Sequence, residues 1–180
     1  MKKSIKTYLK RPSKDNTNRS ANPSVTRAST ILFNSMQELK QHELKIKQNK
    51  KITHYSYGRY GSSTTIELEN ILKELENAYH VFLTGTGFGG IALALMSLCR
   101  PGDEILVSDN VYGPTKEISE KLLKEFNINA LFYNPDSFED LKRKVTKKTK
   151  MILVENPGSI TFEFQDLSKI ISLAKKNNIL

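Results

Sequence analysis

From Val81 onward the sequence alternates short apolar runs with stretches of helical period, and few folds accommodate that rhythm. The runs are VFLT, EILVSD, ALFYN and MILVEN. Between and after them lie Gly87 to Leu98, Pro114 to Phe126 with proline at a favoured first-turn position, a short helix around Asp136 to Val145, and Asp166 to Lys176. Strands separated by helices of these lengths predict a parallel sheet with helices on its faces, an α/β architecture. The chain closes on KKNNIL, where a helix has ended and an apolar pair begins. That pair predicts the first residues of one more strand, and so a partial sheet drawn from a larger fold.

Some 80 residues precede this alternation. A loose arm runs to about Asn22 and continues into NPSVTRASTILF, followed by an exposed helix from about Met36 to Lys51. The segment THYSYGRYGSSTTIELENILKELENAY reads as a polar aromatic loop opening into a second helix. Thr64 or Thr65 can cap that helix, and Ile66, Leu68, Ile71, Leu72 and Leu75 supply its apolar stripe.

Composition narrows the function classes. With 38% hydrophobic and 26% charged residues the 180-residue chain reads as globular. No apolar run approaches the roughly 18 residues of a membrane span, and MKKSIKTYLKRPSKDN contains no apolar export segment. The net charge of +9 invites a nucleic-acid partner. Its excess sits in the N-terminal arm and in LKRKVTKKTK, Leu141 to Lys150, without interleaved aromatic rings for base stacking. Solvated helix faces account for such runs, so neither a nucleic acid nor a membrane is expected as partner. Cys99, the single cysteine, lies with Leu95, Met96 and Leu98 on an apolar helix. It reads as a buried small hydrophobe in a reducing, cytoplasmic compartment. His42, His54 and His80 have no metal-ligand spacing and are expected to be structural or solvent-facing; no metal site is expected.

The turn TGTGFGGI between the first run and its helix carries chemistry. Gly85, Gly87 and Gly90 satisfy the dinucleotide pattern, and Asp109 follows roughly 20 positions on, where a ribose hydroxyl would need a carboxylate. A phosphate of another ligand would use the same backbone amides and the same helix dipole, so the motif alone does not choose. Gly85, Gly89 and Gly90 could equally serve tight helix–sheet packing. Context favours a cofactor other than a dinucleotide. A dinucleotide domain opens on its glycine loop, whereas SDNVYGPT and VENPGSITFEFQDL here follow strand ends, on the edge where α/β proteins build sites. Tyr112 beside a phosphate cradle suggests a flat ring to stack upon. Glu155 reads as a group that fixes the loop after its strand.

Four motifs in order, YGRYG, TGTGFGGI, VSDNVYGPT and ENPGSITFE, resemble the N-terminal half of the Cys/Met-metabolism family of pyridoxal-phosphate enzymes. ENPGSIT and NPSVTRASTILF are most similar to its bacterial cystathionine β-lyase branch. The resemblance implies fold type I, the aspartate-aminotransferase type. Residues 1–60 would be an arm and helix contributing to dimer contacts, and 61–180 part of the large cofactor domain. It implies pyridoxal 5'-phosphate held through the amides of Gly87 and Phe88. Phe88 departs from the small residue or Met usual there, which matters little where only the N–H is used. Tyr112 would stack on the pyridine ring and assist when the substrate amine enters. Tyr57 and Arg59 would cross to a neighbouring subunit's phosphate, and Ser159 would stand near the ring hydroxyl. The implied reaction is β-elimination of cystathionine to homocysteine, pyruvate and ammonia, within methionine biosynthesis. The lysine that anchors the cofactor, the aspartate facing the pyridine nitrogen and the arginine for the substrate carboxylate are expected beyond Leu180. The chain is therefore expected to be a truncated or split-gene product, inactive without a second polypeptide. A nicotinamide-binding module, and γ-lyase or γ-synthase activity within the same family, stand as alternatives.

Overall fold

The structure, a computed structural model, describes residues 22–48, 50, 52 and 54–180. The arm expected before Asn22 lies outside the described residues, as do positions 49, 51 and 53. The chain divides into two compact units, Met1–Leu83 and Thr84–Leu180.

In the first unit, helix α1 spans Met36–Lys47 and helix α2 spans Ser63–Leu75. Ser35 caps α1 by accepting the Glu38 N–H at 3.1 Å, and Glu38 returns a carboxylate to the Asn34 N–H at 2.8 Å. No residue of α1 is buried, as its polar sequence predicts. The cap of α2 is Ser62 and not Thr64 or Thr65. Thr65 takes the reciprocal position three residues in, its hydroxyl accepting the Ser62 N–H at 2.9 Å. Thr64 is drawn away to the incoming chain, accepting the Thr26 N–H and donating to the Ser24 carbonyl. Of the expected stripe Ile66 is buried and Leu68 is exposed. Gly58, in a 3-10 turn over Gly58–Tyr60, has a reason to be glycine: a Cβ there would lie 1.9 Å from the Ala28 carbonyl oxygen. The close approach lets the Gly58 N–H reach the Ser29 carbonyl at 2.8 Å. His42 and His54 stack at 4.6 Å with their planes 12° apart, a structural role.

The second unit is built on three parallel strands, β1 (Glu104–Ser108), β2 (Asn129–Tyr133) and β3 (Thr149–Leu153), in the order β2-β1-β3. Helix α3 covers Gly87–Leu98, α6 covers Phe138–Lys144 and α7 covers Leu167–Asn177. Between β1 and β2 the helix expected over 114–126 forms in three consecutive pieces: α4 (Gly113–Glu117), a π-helical turn (Ile118–Leu122) and α5 (Leu123–Glu125). Ser119 donates its hydroxyl back to the Thr115 carbonyl at 2.7 Å, a bond that competes with the backbone ladder and accompanies the widened turn.

All five residues of β1 are buried. Ile105 and Val107 point to one face, with Leu95 of α3, Cys99, Ile118 and Leu123; Leu106 points to the other, with Leu141 of α6 and Ile170 of α7. That alternation is the strand period of two applied to a sheet covered on both sides. Burial pushes the Cys99 thiol up, as expected of a packing residue. The expected first strand, VFLT, is not one. Its backbone has no strand to pair with among the described residues, and Phe82 and Leu83 remain exposed. At the other end the expectation holds: the Leu180 N–H donates to the Lys150 carbonyl at 3.1 Å and its carbonyl accepts the Ile152 N–H at 2.9 Å. That is a parallel rung on the outer edge of β3.

The basic run from Leu141 is partly neutralised where it lies. Asp140 receives Lys144 at 2.8 Å, Arg143 at 2.6 Å and the Asn134 N–H at 3.0 Å. The Lys144 hydrogen bond and then the Asn134 amide hold its carboxyl down at about 2. An unfolded chain titrates this group near 3.9, so its contribution is present above that value and disappears as pH falls toward 2. We expect Asp140→Asn to be less stable than wild type in urea titrations at pH 7, with the gap narrowing between pH 4 and pH 3. Leu106→Ala, which empties a fully buried site between β1, α6 and α7, is expected to cost about 2–5 kcal/mol in the same measurement.

Candidate functional site

Helix α3 begins at the glycine turn, and two of its first four amides are already used. Thr86 caps it, accepting the Gly89 N–H on its hydroxyl at 2.9 Å and the Gly90 N–H on its carbonyl at 3.1 Å. Thr84 braces the turn by donating its hydroxyl to the Thr86 carbonyl at 2.9 Å. Among the described residues the amides of Gly87 and Phe88 have no acceptor, and they stand at the positive end of a 12-residue helix. The glycines divide by neighbour. A Cβ at Gly89 or Gly90 would crowd the hydroxyls of Thr86 or Thr84, whereas one at Gly85 or Gly87 would meet nothing within 4 Å. The helix–sheet packing role is therefore not what these residues serve; two accommodate the threonines of their own turn and Gly87 faces open space.

That space is a cavity of about 400 Å³ at the C-terminal ends of β1 and β3, walled by Gly87, Phe88, Ile91, Tyr112, Thr115 and Glu155 among others. Tyr112 is the N-cap of α4; its carbonyl accepts the Thr115 and Lys116 amides, and its half-exposed ring lies on the cavity. Its own N–H donates to Glu155 Oε2 at 2.8 Å. A carboxylate is thus placed at a helix start, where it is electrostatically favoured. Thr115 is 1% exposed and its hydroxyl has no partner among the described residues. Unpaired amides, an aromatic plate, apolar walls and an orphaned hydroxyl suit a flat ring carrying an anionic group, and the volume falls in the usual range for such ligands.

The loop after β3 is fastened to the loop after β1. Asn110 accepts the Ser159 N–H on its carbonyl at 2.8 Å, donates its amide to Glu163 at 3.2 Å and accepts the Ser108 hydroxyl. Gly158 passes so close that a Cβ would sit 2.1 Å from the Asn110 side-chain nitrogen. Asp109, the candidate ribose ligand, pairs with Lys116 at 2.6 Å.

A comparison with known protein families matches residues 6–180 to the Cys/Met metabolism PLP-dependent enzymes. The chain belongs to that family. It is 34% identical over 158 residues to a cystathionine beta-lyase of Bordetella avium, covering 88% of this chain and 39% of that protein. It is 27% identical to an L-alanine/L-glutamate racemase of Wolbachia pipientis, covering 89% of this chain and 41% of that protein. The fold matches a Campylobacter jejuni crystal structure named as an O-acetylhomoserine (thiol)-lyase, which holds a pyridoxyl-lysine monophosphate. The TM-score is 0.84 at 23% identity over 98% of this chain and 42% of that one. The chain spans about two fifths of the length of these relatives.

Membership in the family replaces the dinucleotide reading of the glycine turn. Of the expected cofactor residues, Gly87, Phe88 and Tyr112 line one cavity. Ser159 stands on the adjoining loop, tied by its amide to Asn110, two residues before Tyr112. Tyr57 and Arg59 belong to the first unit and are paired there. The Arg59 guanidinium donates to the Tyr57 hydroxyl at 3.3 Å and its carbon lies 5.1 Å from the ring centre. Hydrogen bonds from Ser29 and then Arg59 draw the Tyr57 phenol below its ordinary range. Glu155 fixes Tyr112 more than its own loop, and Asn110, Thr115 and Gln165 were not legible as site residues. The side-chain partners of Asn110 and Gln165 lie up to 57 positions away, and within the stretches SDNVYGPT and VENPGSITFEFQDL nothing singles out these three residues from their neighbours. Gly158→Ala is expected to force Asn110 and the loop apart; hydrogen exchange should rise across residues 156–165, with the β1 amides still protected.

Proposed function

We propose that this chain supplies the phosphate- and ring-holding part of a pyridoxal 5'-phosphate site, in a cytoplasmic carbon–sulfur lyase that performs β-elimination on cystathionine. The observation that carries the reading is the opening of the unpaired Gly87 and Phe88 amides onto the same cavity as the Tyr112 ring. Similarity to proteins named cystathionine beta-lyase supports the substrate and the place in methionine metabolism. Because the chain spans about two fifths of those relatives, the activity is proposed for an assembly containing the rest of the family fold, a homo-oligomer or a pairing with a second chain.

When bound, the cofactor supplies an electron sink that acidifies the Cα proton of an amino acid and eases loss of a β-substituent. The residues here prepare for it. Gly87 and Phe88 would take the phosphate on their amides, with the dipole of α3 behind them. Tyr112 would cover one face of the ring and place its phenol near the incoming amine. Ile91 and the other apolar walls would shield that face from water once it is covered, and Ser159 would sit toward the ring hydroxyl. Arg59, held in a fixed pose by Tyr57, would offer its planar fork to a neighbouring subunit's phosphate. γ-Elimination or replacement would use the same half-site, as would racemisation in the Wolbachia relative. This region sets the cofactor, and the remainder of the fold sets the reaction.

The test is a titration of the purified chain with pyridoxal 5'-phosphate, followed by the circular dichroism induced in its visible band. Saturable binding is expected, much weaker for pyridoxal without its phosphate. Tyr112→Ala should weaken it roughly tenfold, an offset-stacking contact being worth about 0.5–1.5 kcal/mol. Equal affinity for pyridoxal, or binding of NADH in its place, would count against the reading.

A further inference from the structure

One buried side chain touches the C-terminal ends of all three strands. Gln165 is 8% exposed. Its Oε1 accepts the hydroxyl of Tyr133, the last residue of β2, at 2.8 Å. Its Nε2 donates to the hydroxyl of Ser108, the last residue of β1, at 3.0 Å, and to the carbonyl of Glu155, two residues beyond β3, at 3.3 Å. Its own backbone N–H is held by the Asn156 side chain at 2.7 Å. A buried primary amide offers two donors and two acceptor sites, and here both donors and one acceptor site are used. An apolar residue would fill the volume without the desolvation cost. What the amide adds is direction.

Two routes lead from it to Tyr112. The first goes through the Glu155 backbone to the Glu155 carboxylate and on to the Tyr112 N–H. The second goes through the Ser108 hydroxyl to Asn110, two residues before Tyr112. We propose that Gln165 is a positioning residue for the cofactor platform: it holds the strand ends so that Glu155 and the loop after β1 present the Tyr112 ring to the cavity. The proposal rests on reading that cavity as the pyridoxal-phosphate site.

The experiment uses the full chain labelled with 3-fluorotyrosine and read by fluorine NMR. The Tyr112 signal is assigned by its loss in Tyr112→Phe, and Tyr79 of the first unit serves as internal reference. Gln165→Met, of similar length but without the amide, is expected to shift or broaden the Tyr112 signal and to weaken pyridoxal-phosphate binding roughly threefold to tenfold. Glu155→Ala should do the same, Glu155→Gln should restore both because it keeps an acceptor, and Gln165→Met should add little to Glu155→Ala. Tyr133→Phe removes only the hydroxyl that Gln165 accepts and gives a gentler variant should Gln165→Met not fold; it should move the Tyr112 signal in the same direction. A Tyr112 signal unmoved in folded Gln165→Met and Tyr133→Phe, with only stability lowered, overturns the proposal. A wild-type chain that binds no pyridoxal phosphate overturns the proposed function instead, and the fluorine signal still decides the role of Gln165.

Discussion

The second unit depends on the burial of one strand. β1 is hydrogen-bonded on both edges and packed on both faces, and Ile105, Leu106 and Val107 are wholly removed from water. Each such side chain contributes about 1.5–3 kcal/mol relative to exposure. Both neighbours run parallel to it, so every strand must end on the same edge, and the chain must leave that edge by way of a loop. Even the polar first residue of β1 is satisfied: Glu104 accepts hydroxyls from Thr146 and Thr149 at 2.9 and 3.1 Å, which ties β3 to β1 where the ladder is irregular. The site is a consequence of this geometry, because three loops delivered to one edge have to be reconciled there.

They are reconciled by hydrogen bonds. Glu155 from the loop after the third strand holds the amide of Tyr112 from the loop after the first, Asn110 holds Ser159, and Gln165 holds the ends of all three. The interior of the sheet is apolar and positions its residues by shape, whereas its edge is polar and positions them by direction. Burial pushes the Tyr133 phenol up to about 12, so this hydroxyl stays protonated and remains a donor to Gln165 throughout the physiological range. The arrangement keeps the Tyr112 ring uncovered on one side and its backbone fixed on the other, the condition for a platform on which a ligand can lie without rearranging it.

Much of this was legible beforehand where the signal is local. The Gly87 to Leu98 helix follows from its period and from Thr86 before its first glycine, and β1, β2 and β3 follow from the apolar runs that contain them. That Gly87, Phe88 and Tyr112 share one cavity agrees with the grouping that the resemblance implied, and its local signal was a glycine turn opening a helix and a tyrosine just past a strand end. VFLT failed for the complementary reason: an apolar run becomes a strand only when a partner lies beside it, and hydropathy says nothing about partners. The cap of α2 moved to Ser62 because Thr64 is engaged by Thr26 and Ser24, some 40 positions away. Gln165 lay in a stretch assigned to the site edge, VENPGSITFEFQDL, but nothing singled it out there, one polar residue among several.

The sequence by itself determined the class of fold, the alternation of β1, β2 and β3 with their helices, and the chemistry available at the glycine turn and at Tyr112, since each depends on period, propensity or side-chain type over a short window. Tertiary structure alone decided which strands pair, which amides of the turn stay unpaired, and that Glu155, Asn110 and Gln165 converge on one edge. The physical reason is that hydrogen bonds between residues tens of positions apart have no energy until packing brings their atoms within about 3 Å. That approach is set by the sheet as a whole and by no segment of it.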